Sequence, residues 1–196
     1  MEQDNLYTRR PESETGNMDK LLSGLKAEDN WNMKLTRNLQ WFYWIMVPVY
    51  VLVYFVIPDA ERTILDRFSG ACYILGFLMF AFAIRSLYKD YLSVDYALPT
   101  VVMLQKAVKR YKLFQWKTAW VIPPVLFVDA GVSLSHFNET GIADPWQEIL
   151  KFQYFFIPAI LVSFCIGVTI WYKRQKPLRD NAKKLLEEIQ HGNGFN

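Results

Sequence analysis

Four apolar runs, at residues 39–57, 68–84, 118–136 and 152–172, each approach the length a helix needs to cross a bilayer. Roughly 30 Å of hydrocarbon takes about 17–25 residues at a rise of about 1.5 Å each. The third run reaches that length only with its polar ends, its apolar centre being residues 119–134. Hydrocarbon offers the backbone no water, so each run must satisfy its own hydrogen bonds as a helix. The expected fold is therefore an all-α integral membrane protein with four transmembrane helices. The averages conceal this pattern. At 52% hydrophobic, 16% aromatic and 21% charged, the 196 residues match a soluble domain in sum, because the charges are gathered between the runs.

Charge also sets the expected orientation. If both termini and residues 85–117 share one side, that side holds 19 of the 22 Lys and Arg residues, leaving Arg62, Arg67 and Lys151 opposite. Positive charge stays cytoplasmic, so the chain is expected to be N-in and C-in. Trp41, Phe42, Tyr43 and Trp44 open the first run and Tyr54 and Phe55 close it, as an aromatic belt at both interfaces requires. The first thirty residues lack a signal-peptide pattern, and the run at 39–57 is expected to act as an uncleaved anchor. Cys72 and Cys165 fall at different depths in this layout and are not expected to pair. In the second run Gly70, Ala71 and Gly76 would let a neighbouring helix approach closely.

Between and beyond the runs lie segments that belong in water. Residues 1–17 are polar and poor in apolar side chains, hence expected to be disordered. Residues 18–38 carry Leu21, Leu22 and Leu25, the mark of a short amphipathic helix interrupted at Gly24. From Pro99, the spacing of Val101, Leu104, Val108, Tyr111 and Gln115 predicts a cytoplasmic amphipathic helix over 99–117 that continues into the third span. Pro177 opens a second one over 177–191, with Leu178, Ala182, Leu185 and Ile189 on one stripe. These three stripes must be covered by one another, by the membrane interface or by another protein.

The candidate sites are few. Asp129 is the one acid within a run, and holding a charge there costs about 2.5–3.5 kcal/mol unless it is paired or hydrated. It is either a structural or hydrated group, with Gln153 and Ser133 as polar partners, or an ion or ligand site. Pro123 and Pro124 precede it and would remove two helix hydrogen bonds, a packing kink or a transporter-like break. Lys106, Lys109, Arg110 and Lys112, with Lys173, Arg174 and Lys176, form basic faces beside the spans. Anionic lipid headgroups account for such faces at about 1 kcal/mol per residue, and nucleic-acid binding is not expected. His136, Glu139, Asp144 and Glu148 share one outer loop without metal-ligand spacing, and read as a solvated acidic loop. The loop also holds a glycosylation sequon, Asn138-Glu139-Thr140. No nucleophile with a base, paired acid and base, or nucleotide or cofactor motif is visible in the sequence, so a non-enzymatic protein without a cofactor is expected.

The segment 95–117, DYALPTVVMLQKAVKRYKLFQWK, placed before a span and followed by a Lys/Arg-rich tail helix, resembles a group of small bacterial inner-membrane proteins. These are often encoded beside extracytoplasmic-function sigma factors. The resemblance lies in layout and covers most of the chain. It implies a bacterial inner-membrane location and a role in membrane-linked transcriptional signalling, with a sigma factor as cytosolic partner. The zinc-binding His/Cys pattern of one anti-sigma class is absent. Two functional expectations stand: a protein that binds a cytosolic or membrane partner through its cytoplasmic helices, in a monomer or an oligomer, and a small transporter or channel subunit using Asp129.

Overall fold

The computed structural model describes residues 12–59, 62–137 and 144–192. The first eleven residues of the expected disordered tail, and the outer loop with Glu139 and the sequon, lie outside them. All regular structure among the described residues is helical. The helices are α1 (Glu12–Val51), α2 (Ile64–Leu92), α3 (Thr100–Arg110), α4 (Trp116–Ala119), α5 (Ile122–Phe137), α6 (Pro145–Ile170) and α7 (Lys176–Gly192). One π-helical turn, Leu52–Val56, extends α1, and another, Trp171–Gln175, joins α6 to α7. Four stretches, Met18–Val56, Ile64–Leu92, Trp116–Phe137 and Pro145–His191, are long and apolar enough to cross a membrane.

Two sequence expectations are corrected. Residues 12–17, placed in the disordered tail, begin α1, which runs unbroken through Gly24 and Pro48. Gly24 serves close approach instead of interruption: a Cβ there would lie 3.0 Å from Cδ2 of Leu178. The helix predicted over 99–117 ends at Arg110, and the chain is non-helical from Tyr111 to Gln115 before the short α4. Tertiary bonds stop it, because the Tyr111 carbonyl accepts from Trp171 Nε1 at 2.9 Å. The helix is interrupted at Trp120–Val121, inside the stretch Trp116–Phe137, immediately before Pro123 and Pro124. They sit in the first turn of α5, where backbone N–H groups have no acceptor within the helix, so their missing donors cost nothing.

The described residues form two compact units. One is drawn from Asn32–Val94 and Phe114–Thr169. Its centre is the packing of α2 on α5, where a Cβ at Gly76 would meet Val128 Cγ2 at 3.0 Å and one at Gly131 would meet Tyr73 at 3.1 Å. Ser69 Oγ, fully buried at this crossing, donates to the Gly131 carbonyl at 2.7 Å and shares a 2.6 Å bond with Ser135. Rings join α1 to α2: Tyr43 stacks on Phe80 at 4.8 Å and Tyr50 lies 4.9 Å from Phe77. Thr63 and Asp66 begin α2 with a capping box, each satisfying the other's backbone N–H. Helix α6 buries none of its residues, with Phe155, Leu161 and Phe164 more than half exposed.

The other unit is drawn from Met1–Trp31, Asp95–Leu113 and Ile170–Asn196. Leu21 and Leu25 of α1, Met103, Leu104 and Ala107 of α3, Tyr111, and Ala182 of α7 form its core. Leu178, Leu185 and Ile189 pack against it. The three amphipathic stripes thus cover one another to a large extent.

Candidate functional site

The spacing that buries Leu21 and Leu25 continues along α1 to Glu28 and Asp29, both 5% exposed. Two adjacent carboxylates out of water are costly unless each finds charge and hydrogen bonds. Asp29 finds three donors: the hydroxyl of Tyr96, the guanidinium of Arg110, and the hydroxyl of Tyr111 at 2.5 Å. Glu28 is paired with Arg174 at 3.0 Å and accepts from Gln175 Nε2 at 3.4 Å. The Arg174 guanidinium also lies 4.0 Å above the Trp31 ring, a cation–π contact that orients it. Among the described residues no buried side-chain polar atom lacks a partner.

Burial pushes the hydroxyls of Tyr96 and Tyr111 well above the ordinary tyrosine range, and the negative charge of Asp29 pushes them further. Both stay protonated, as donors must. For Arg110, burial works against the charged form and Asp29 outweighs it, so the guanidinium is held charged. The Asp29 carboxylate is thus fully occupied as an acceptor of hydrogen bonds from two phenols and a guanidinium. Its chemistry suits holding rather than reacting: Asp29 ties α1 to the segments on both sides of α3, and Glu28 ties it to the π-helical turn before α7.

The candidate residues read from sequence are distributed as follows. Arg110 and Arg174, placed on basic faces, pair with these buried carboxylates, Arg110 itself mostly buried and Arg174 exposed. Lys106, Lys109, Lys112 and Lys173 are exposed, and Lys176 lies 4.2 Å over the Tyr172 ring. Of the tail stripe, Ala182 is fully buried, while Leu178 and Leu185 are partly buried and line a groove of about 500 Å³ between α1 and α7. Asp129 is half-buried and accepts a 2.5 Å bond from Gln153 Nε2 of α6. Pro124 is fully buried, its carbonyl 3.2 Å from the position of a Gly76 Cβ. Of the outer-loop ligand types, Glu148 pairs with Lys151 at 2.6 Å and Asp144 accepts from the Trp146 backbone; the described residues hold no cluster of three or more metal-ligand side chains. Cys72 and Cys165 are both free thiols.

Sequence reasoning missed Glu28 and Asp29. The signal was there: 21, 25, 28/29, 32 and 36 keep a helical period, and Asn32 and Thr36 are buried as well. Polar identity hid a buried face. No protein-family model, no curated protein and no solved structure matches the chain.

Proposed function

We propose that the chain is a four-span protein of a bacterial inner membrane with both termini cytoplasmic, acting without catalysis as a docking platform for a cytosolic protein. Helix α6 supports the membrane part: a helix whose stretch from Tyr154 onward is this apolar, with none of its residues fully buried, is stable only where hydrocarbon covers it. The distribution of Lys and Arg supports the orientation. The observation that carries the docking part is the groove between α1 and α7, where Leu21, Leu178 and Leu185 form an apolar floor rimmed by Lys20, Lys184 and Glu188. Such a groove matches one amphipathic helix bearing both signs of charge. The layout resemblance makes a sigma factor the partner class to test. Because the three stripes cover one another, docking is confined to this groove. The transport reading gains less support, since Asp129 is engaged by Gln153 of α6.

The test is photo-crosslinking in cells from a probe at Asn181, which lines the groove, against one at Glu187, which is exposed and lies outside it. A sigma factor captured from position 181 and not 187, and lost in Leu185→Glu, supports the reading. Equal capture from both positions, or capture of integral membrane proteins alone, overturns it.

A further inference from the structure

A second groove, of about 350 Å³, lies against α2 near its C-terminal end. One wall is a helical face, Met79, Phe82, Ala83 and Ser86, at i, i+3, i+4 and i+7. The other is Lys117 and Trp120, from α4 and the residue that caps it. The groove is graded along the helix: Met79 and Phe82 at one end, the Ser86 hydroxyl and the Lys117 ammonium at the other. Lys117 is not loose. Asp90 holds its Nζ at 2.6 and 2.8 Å while both side chains remain about half exposed. Large aromatic side chains crowd this segment of the chain without being buried: Phe114 is 78% exposed, Trp116 83% and Trp120 57%. Arg85 and Lys89, also exposed, mark the same end of α2 and outweigh the single negative charge of Asp90.

Exposed tryptophans beside lysines, at the end of an apolar helix, are the signature of headgroup depth. We propose that this groove is a binding site for an anionic phospholipid, with the phosphate at Lys117 and Ser86 and an acyl chain along Met79 and Phe82 beneath Trp120. Charge complementarity chooses the occupant: a neutral membrane helix would answer neither the net positive charge at this end of α2 nor the Ser86 hydroxyl, whereas a phosphate engages both. The ion pair with Asp90 positions the ammonium and also competes with the lipid for it. This site rests on the membrane reading above.

The experiment is native mass spectrometry of the delipidated full chain in detergent, titrated with phosphatidylglycerol or phosphatidylcholine. Phosphatidylglycerol adducts should exceed phosphatidylcholine adducts, and Lys117→Gln should weaken them about fivefold, the worth of one interfacial lysine. Lys151→Gln, a change to an exposed lysine outside the groove and outside the basic faces, should leave them unchanged. Asp90→Asn, by freeing the ammonium, should strengthen them, a direction that a merely structural ion pair would not produce. Equal binding of the two lipids, or no response to Lys117→Gln, overturns the site. A dimer that is lost in Lys117→Gln or Trp120→Ala would overturn it in favour of a second copy of the chain. Recovery of the protein in the soluble fraction of cells would instead refute the membrane reading itself.

Discussion

Replacing Asp29 with alanine tests the reasoning about the buried cluster most directly. The substitution removes the one carboxylate that the Tyr96 hydroxyl, the Arg110 guanidinium and the Tyr111 hydroxyl share. The Arg110 side chain is 17% exposed and that of Asp29 6%, so solvent screens the pair little. Removing one partner of a buried ion pair costs about 3–5 kcal/mol, chiefly because the other charge stays buried alone. The two phenols add a further loss of about 1 kcal/mol each if water cannot reach them, though such terms do not sum simply. A loss of about 4 kcal/mol corresponds to nearly a thousandfold in the local opening equilibrium. Hydrogen exchange read by mass spectrometry on the detergent-solubilised chain measures it: amides of Thr100–Arg110 and Lys176–Gly192 should exchange about a thousandfold faster, while those of Ile64–Leu92 change little. The double variant Asp29→Ala/Arg110→Met should recover much of the loss, because it removes the stranded charge along with its partner. Exchange in α3 and α7 within a factor of about three of wild type would show that the cluster holds nothing. A double variant no better than the single would show that the stranded charge is not the cause.

Two further predictions concern pH and the acid within α5. The hydroxyls of Tyr96 and Tyr111 have folded-state pKa values raised above the ordinary 10.0, so their contribution to stability is fully present below about pH 10 and is lost as pH rises beyond it. Tyrosinate absorbance should therefore show a late-ionising fraction that Tyr96→Phe/Tyr111→Phe reduces by two tyrosines; an undiminished fraction in that variant would assign it elsewhere. Asp129→Asn keeps an acceptor oxygen for Gln153 Nε2 and should cost no more than about 1 kcal/mol in a thermal-unfolding comparison in detergent. A collapse of the fold in that variant would show that the charge itself is required.

The parts of this protein legible in the sequence are those that depend on local chemistry. A run of apolar residues has its length and hydropathy regardless of its neighbours, so four helices fit to cross a membrane could be read directly. The stripes at Leu104 and Tyr111 and at Leu178 and Ala182 followed from helical period alone. What covers those stripes is another matter, because their partners are distant in the chain. Asp29 meets Tyr96, Arg110 and Tyr111 across 67, 81 and 82 residues, and Glu28 meets Arg174 across 146. The same is true of the end of α3. No glycine or proline stops that helix at Arg110; the Tyr111 side chain is claimed by the core and its carbonyl by Trp171. Hydropathy marks a carboxylate as a surface group, and only a tertiary fold that supplies two phenols and two guanidiniums makes burial of Glu28 and Asp29 affordable.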